Sequence, residues 1–326
     1  MLAIVQRRYG TPGVLTLEEV ATPVPGKGEV LVRIRAASAN RTDLESLYGR
    51  PIMYRAFMGV RAPRHDRLGL DAAGEVETVG EGVTGLKPGD RVYADLIYDG
   101  VGAFAEFACA KEKAWHPIPS GMDFETASTL PASAILAHQG LGRADGVKTG
   151  DKVLINGAAG CVGTFAVQLA KLAGAEVTGV DHGDKLDFVR SVGADHVIDY
   201  TREDYTRGGH RYDRILDAIA NHSVFAVRRA LTDNGIYRAH GARSTGGLLQ
   251  AMVLGPLSSL GRKRSTGLVF GRPNDGPDLA IVGEMVQAGK LVPVIDRTYS
   301  LAEVPDALAY YADEKARGKL VIRIPG

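Results

Sequence analysis

Val153-Leu-Ile-Asn-Gly-Ala-Ala-Gly-Cys-Val-Gly-Thr164 reads, in order, as a short apolar strand, a glycine loop and the start of a helix. Set on the dinucleotide fingerprint G-x-G-x-x-G, Ala158 takes the first glycine position, Gly160 the second and Gly163 the third. A side chain at the second position would keep the backbone away from a pyrophosphate, and one at the third would push the helix off its strand. The helix N-terminus turns unpaired N–H groups toward negative charge, so Ala158, Gly160, Cys161, Val162 and Gly163 are expected around the phosphates. Cys161 admits a second reading as a nucleophile, because a helix N-terminus lowers a thiol pKa; a bound pyrophosphate opposes the thiolate, and packing is preferred. No Gly-Lys-Ser/Thr follows, which excludes a Walker loop.

Asp181 closes the next apolar run about 20 residues downstream, where a carboxylate accepts the ribose hydroxyls and repels a 2′-phosphate. NAD(H) is favoured on this ground. NADP(H) stays open, because Lys185 or Arg190 can pair with Asp181 or receive the phosphate instead.

Outward from this loop, short apolar runs at Val177–Val180, His196–Ile198, Arg214–Asp217 and Gly235–Tyr237 alternate with helical segments. Such alternation predicts βαβ units and a doubly wound parallel sheet, an α/β Rossmann fold. Residues 1 to about 120 differ, with alternating runs such as Glu29-Val-Leu-Val-Arg-Ile-Arg35 between Gly and Pro turns, and read as a β-rich unit. The tail from Val292 ends in another β-like run, Lys319-Leu-Val-Ile-Arg-Ile324, and is assigned to that first unit. The expected division is 1–120, 121–289 and a return over 290–326.

Composition narrows the function. Lys+Arg 39 against Asp+Glu 38 gives a net charge of +1, which lacks the basic footprint of a nucleic-acid binder. Two cysteines cannot supply a four-cysteine structural zinc site or a disulfide scaffold. No stretch approaches the roughly 20 apolar residues of a membrane helix, and a soluble cytoplasmic protein with no membrane partner is the expectation. Glycine, at 41 residues, is abundant enough to ask for many tight turns.

The chain resembles the zinc-independent branch of the medium-chain dehydrogenase/reductase superfamily, the quinone-oxidoreductase-like and enoyl-reductase-like proteins. The resemblance is carried by Ala37-Ser-Ala-Asn-Arg-Thr-Asp43, Gly69-Leu-Asp-Ala-Ala-Gly74, Pro88-Gly-Asp-Arg-Val92, Gly102-Ala-Phe-Ala-Glu106, the loop and helix from Asn156 to Lys171, Gly193-Ala-Asp-His-Val-Ile-Asp-Tyr200 and Gly318-Lys-Leu-Val-Ile322. It implies a GroES-like catalytic domain built from both chain ends, an inserted Rossmann domain, and a cleft for nicotinamide and substrate between them. It also implies cofactor contacts at Gly157, Gly160, Gly163 and Tyr200, and Gly241 is a further candidate for the cofactor site. Asn40 and Leu70 stand where zinc-containing relatives place a cysteine and a histidine, so no metal site and no zinc are expected. Asp181-His-Gly-Asp-Lys185 replaces the branch's usual NADP(H)-binding serine and arginine. Pro51 stands where enoyl-reductase relatives carry a catalytic tyrosine, so enoyl-thioester activity does not carry over.

Hydride transfer needs mainly a nicotinamide face held against an acceptor carbon, a polarised carbonyl and a later proton. Asn40 and Tyr48 are the catalytic candidates. Asn40 reads either as a donor to nicotinamide or substrate, or as a turn-capping amide; Tyr48 reads either as a proton donor or as half-buried packing. His65, His138 and His240 read better as solvated or structural histidines. The expected function is metal-free reduction of an activated double bond or quinone-like small molecule by NAD(P)H. An alcohol or carbonyl oxidoreductase of the same fold and a non-enzymatic nucleotide-binding protein are the alternatives. An edge strand at Gly267–Phe270 and the apolar segment Leu248–Leu257 suggest a homodimer.

Overall fold

The computed structural model describes residues 1–52, 55–142, 146–240, 246, 250–254, 264–269 and 271–325. The chain opens with β1 (Leu2–Gln6) and β2 (Leu15–Glu19), an antiparallel pair, and runs into β3 (Glu29–Ala39). Then follow α1 (Arg41–Tyr48), α2 (Arg55–Met58), β4 (Asp71–Val79), β5 (Arg91–Asp95), β6 (Phe107–Lys111), β7 (His116–Pro117) and α3 (Phe124–Ser128). The parallel region comprises α4 (Ile135–Gly140), β8 (Lys152–Asn156), α5 (Cys161–Leu172), β9 (Glu176–Asp181), α6 (Leu186–Val192), β10 (His196–Asp199), β11 (Tyr212–Asp217), α7 (Val224–Arg229), β12 (Leu231–Ala239) and β13 (Ser265–Leu268). The chain closes with α8 (Gly276–Gln287), β14 (Ile295–Ser300), α9 (Val304–Ala312) and β15 (Lys319–Arg323).

Two compact units result: Met1–Ser133 with Arg272–Gly289 and Ile295–Gly326, and Ala134–Gly271 with Lys290–Val294. These boundaries differ from the expected 1–120, 121–289 and 290–326. Helix α3 packs on β3 and β4, and α8 is tied to the first unit by Tyr93, whose hydroxyl donates to the Leu279 carbonyl at 3.4 Å. Just before α8, Asn274 and Asp95 exchange two bonds: the Asp95 N–H donates to Asn274 Oδ1 at 2.8 Å, and Asn274 Nδ2 donates to the Asp95 carbonyl at 2.7 Å. A helical period tells that a helix forms, not which sheet it covers.

In the first unit, the strands run in the order β14-β15-β3-β4-β5-β7, with β6 also on β3. The alternation of β3 sets the faces: Val30, Val32 and Ile34 are fully buried, while Arg33 and Arg35 reach diagonally to Glu77 and Glu75 on β4. Strand β15 pairs antiparallel with β3, Leu320 opposite Ala39 and Ile322 opposite Ala37, so the tail completes the sheet that the start of the chain began. Its core gathers Ile4, Leu44, Phe104, Trp115 and Leu320.

The second unit holds a parallel sheet of order β10-β9-β8-β11-β12-β13 among the described residues. Counting from β8, that is the 3-2-1-4-5-6 order of a dinucleotide-binding fold, whose topological switch lies between β8 and β11. Leu154, Val180, Ile215 and Leu231 form its core.

Candidate functional site

At the switch point, β8 ends at Asn156 and the chain turns at Gly157, whose φ is +84°. The Gly157 and Ala158 N–H groups both donate to the Val180 carbonyl, at 2.9 and 3.1 Å, which hangs the loop on β9. The tight-turn glycine is therefore Gly157, one residue before the position assigned from the fingerprint. Ala158 needs no positive φ; it is fully buried, and its methyl packs against Gly179. Gly163 is required by the protein itself, because a Cβ there would stand 2.1 Å from the Gly157 carbonyl oxygen. Gly160, the N-cap of the 12-residue α5, is different: a Cβ there would meet only that same oxygen, at 3.3 Å. Its open side is the place where a phosphate can approach the first turn of α5, begun by buried Cys161 and half-buried Val162.

Asp181 ends β9, and its Oδ2 accepts the Ala159 N–H at 2.8 Å while Oδ1 accepts the His182 N–H at 2.9 Å. The carboxylate thus sits at the loop. Beyond it come the short 3-10 turn Gly183–Lys185, with Lys185 half-exposed, and Tyr200, half-exposed and edge-on to His182 at 5.9 Å between ring centroids. Arg190 bonds Asp187 at 2.7 Å. The structure brings Gly157, Ala158, Gly160, Cys161, Val162, Gly163, Asp181, Lys185 and Tyr200 to the same C-terminal end of the sheet. Gly241 lies outside the described residues.

Asp217, at the end of β11, was not singled out in the sequence. It is fully buried, and its Oδ1 accepts Asn156 Nδ2 at 2.8 Å and the N–H groups of Ile219 and Ala220 at 2.9 and 2.7 Å. Its Oδ2 accepts the Tyr237 hydroxyl at 3.1 Å. These bonds fasten the end of β11 to the residue that launches the glycine loop.

In the first unit, Asn40 is the N-cap of α1 and its N–H donates to Asp43 Oδ2 at 2.7 Å. Its side-chain Nδ2 donates to Asp71 Oδ2 at 3.0 Å and to the Ser38 carbonyl at 3.3 Å; its Oδ1 accepts from Lys319 Nζ at 2.8 Å and Ser133 Oγ at 3.2 Å. A carboxamide has four hydrogen-bonding positions, and all four are taken. Asn40 therefore has no amide hydrogen left for a substrate or nicotinamide; its side chain is held by Ser38, Asp71, Ser133 and Lys319. Tyr48 closes α1 and packs half-buried on the core of the first unit. About 12 Å of helix axis separates it from Asn40, so the two catalytic candidates are not brought together. Between them, Arg41, Thr42 and Glu45 line the more open side of α1, and burial pushes the Glu45 carboxyl up to about 7 against the opposing pull of Arg41. His138 is buried and His240 half-buried in the second unit, where desolvation of its ring lowers His240 to about 4 and leaves it neutral.

Residues 26–120 match the alcohol dehydrogenase GroES-like domain, and residues 192–322 match the zinc-binding dehydrogenase family. The chain is 34% identical over 317 residues to a chloroplastic quinone oxidoreductase of Triphysaria versicolor, covering 93% of this chain and 92% of that one. The chain belongs to the quinone-oxidoreductase-like medium-chain dehydrogenase/reductases. It is an oxidoreductase. It is also 30% identical to the NADPH-dependent alkenal/one oxidoreductase of Arabidopsis thaliana, over 99% of this chain and 79% of that one. The quinone oxidoreductase of Coxiella burnetii superposes with a TM-score of 0.88 at 27% identity, over 100% of this chain and 99% of that one.

Zinc, which one matching family description implies, does not fit the donors of this quinone-oxidoreductase-like chain. Among the described residues no group of three or more His, Cys, Asp and Glu side chains could hold a metal ion. Asn40 and Leu70 offer a neutral amide and an aliphatic group, and the oxygens of Asn40 and Asp71 already hold the Lys319 ammonium. A dinucleotide does fit the second unit, on the cradle at Gly160. Among the described residues no helix is long and apolar enough to cross a membrane.

Proposed function

We propose that this protein transfers a hydride from NAD(P)H, with NADH preferred, to the activated double bond of an enone or to a quinone-like acceptor, without a metal ion. The observation that carries the reading is the open face of Gly160 at the start of α5, with the Asp181 carboxylate beside it. Gly157, Ala158, Gly160, Cys161, Val162 and Gly163 would bind the pyrophosphate, and Asp181 the adenosine ribose, with Lys185 and Tyr200 near the adenosine end. The nicotinamide, when bound, supplies the hydride. Asp217 and Asn156 hold the loop in place, so binding requires little ordering of the chain. One relative is named NADPH-dependent; here Asp181 favours the unphosphorylated ribose. In the first unit Asn40 orients the start of α1, and we assign proton supply to the Tyr48 hydroxyl.

The experiment is oxidation of NADH and NADPH with and without a panel of enones and quinones, in untreated and chelator-treated protein. Acceptor-dependent oxidation that survives chelation is expected. Nucleotide binding with no turnover on any acceptor supports a non-enzymatic binder instead, and turnover confined to alcohols or simple carbonyls supports the alcohol dehydrogenase reading. We also infer a homodimer formed through the outer side of β13, the last strand of its sheet among the described residues, with the exposed Met252 and Val253 nearby in sequence. Of the expected interface segment Leu248–Leu257, residues 248, 249 and 255–257 lie outside the described residues, as does Phe270. A cytoplasmic location is part of the same proposal, tested by cell fractionation.

A further inference from the structure

Lys319 is the first residue of β15, and its side chain is fully buried, as is that of Asp71. An ammonium in a dry interior costs several kcal/mol unless its donors are met. Here three are met: Nζ donates to Asn40 Oδ1 at 2.8 Å, to Asp71 Oδ2 at 3.0 Å and to Ser133 Oγ at 3.1 Å. Asp71 is equally satisfied, since Oδ2 also accepts from Ser38 Oγ at 3.0 Å and Oδ1 from the Ala132 N–H at 2.9 Å. Ser38 Oγ also lies 2.8 Å from the Ser128 carbonyl, so its one hydroxyl proton is shared between that oxygen and Asp71 Oδ2.

Buried ion pairs are commonly replaceable by apolar groups with no loss of stability, so stability alone does not explain this one. What the cluster does is geometric. It draws the end of β3, the start of β4, the stretch from Ser128 to Ser133 and the start of β15 to one point directly under the N-cap of α1. The helix it fixes presents Thr42, Glu45 and Tyr48 on its more open side.

We propose that Lys319 is the resident cation of the first unit, a positioning residue that sets the orientation of Asn40 and α1 for hydride transfer by collecting oxygen donors from separate segments. A bound metal ion could otherwise do this collecting, and the donor set found here does not suit one. The proposal rests on the oxidoreductase reading above.

Three variants test it. Lys319→Arg keeps the buried charge but replaces a compact ammonium by a planar fork, which cannot place donors on the same three oxygens. Lys319→Met leaves Asp71 uncompensated, and Lys319→Met with Asp71→Asn removes both charges. Melting temperature, NADH affinity by fluorescence, and kcat and KM on the best acceptor are measured for each. Lys319→Arg is expected to fold and bind NADH within about threefold of wild type while kcat falls about tenfold or more. The double variant is expected to recover the melting temperature lost in Lys319→Met and not to recover kcat. Wild-type kcat in Lys319→Arg, or a double variant that regains turnover together with stability, overturns the proposal and makes the cluster purely structural. Wild-type protein that turns over no acceptor defeats the oxidoreductase reading itself, and this inference with it.

Discussion

Asp181 and Asp199 are register partners at the C-terminal ends of β9 and β10, two carboxylates side by side where the adenosine end of a dinucleotide is expected. Thr201 donates to Asp199 Oδ1 through both its hydroxyl, at 2.7 Å, and its N–H, at 2.9 Å, which holds that carboxyl below its ordinary range. Wild-type protein should bind NADH more tightly than NADPH, and Asp181→Ser should move the ratio toward NADPH. A repulsion on the order of 1 to 3 kcal/mol corresponds to about 5- to 150-fold. Fluorescence titration with both nucleotides decides it; tighter NADPH binding by wild type means that Lys185, Arg190 or Arg202 receives the phosphate.

The two loop glycines should fail differently. Gly160→Val should leave the protein folded and lower NADH affinity by about tenfold or more, because its side chain would fill space that only a ligand needs. Gly163→Ala should destabilise the second unit by roughly 1 to 3 kcal/mol, because its methyl meets the Gly157 carbonyl. Denaturation curves and nucleotide titrations on both variants separate the effects, and a destabilised Gly160→Val with normal affinity refutes the site.

Burial pushes the Asp43 carboxyl up to about 8, and its Oδ1 has no hydrogen-bond partner. An unfolded Asp titrates near 3.9, so between roughly pH 4 and pH 8 the folded chain binds one proton more than the unfolded chain. This contribution to stability is therefore full below about pH 4 and is lost as the pH rises through about 8, a change on the order of a few kcal/mol. Asp43→Asn should flatten that dependence. Urea midpoints at pH 5, 6.5 and 8 for both proteins are the test, and an identical slope in the variant removes Asp43 as its source.

Tyr48→Phe should lower kcat by about 10- to 100-fold while leaving NADH affinity unchanged, if the hydroxyl supplies the proton after hydride transfer. The solvent isotope effect on kcat should rise in the variant. A variant with wild-type kcat reduces Tyr48 to its packing role on the core of the first unit.

The Val269 N–H donates inward to the Ala239 carbonyl at 2.8 Å, so a proline there would damage β13 itself rather than a contact beyond it. Alternation along the strand turns the Leu268 N–H away from β12. Leu268→Pro should therefore raise the dimer dissociation constant by about tenfold or more with little change in melting temperature at high concentration. Light scattering measures it, and a wild-type mass of one chain at micromolar concentration ends the dimer proposal.

The Rossmann half was legible because its signals are local: strand, glycine loop and helix start occur within twelve residues, and each glycine acts on atoms a few positions away. Even so, the fingerprint put the turn at Ala158, because the pattern counts spacings and cannot see that Gly157 carries the positive φ. The first unit was legible as β-rich but not in its limits, since α8 joins it through Tyr93 and Asn274, contacts that no window of sequence contains. Asn40 stood out for its place in a motif, yet its partners Lys319, Asp71 and Ser133 were invisible. The one available signal was a lysine heading an apolar β run, Lys319-Leu-Val-Ile322, whose ammonium needs an answering group somewhere in the chain.

Asn40 and Lys319 are 279 residues apart in the chain, and the whole of the second unit lies between them. Closing so long a segment costs entropy before any contact rewards it, and non-local pairings of this kind slow folding. The second unit, nearly continuous in sequence, can assemble first and shorten the effective distance between the segments it separates. Folding is then expected to be ordered, with the β3–β15 pairing and the burial of Lys319 among the last events, and hydrogen exchange during refolding should show β8 and β9 protected before β15.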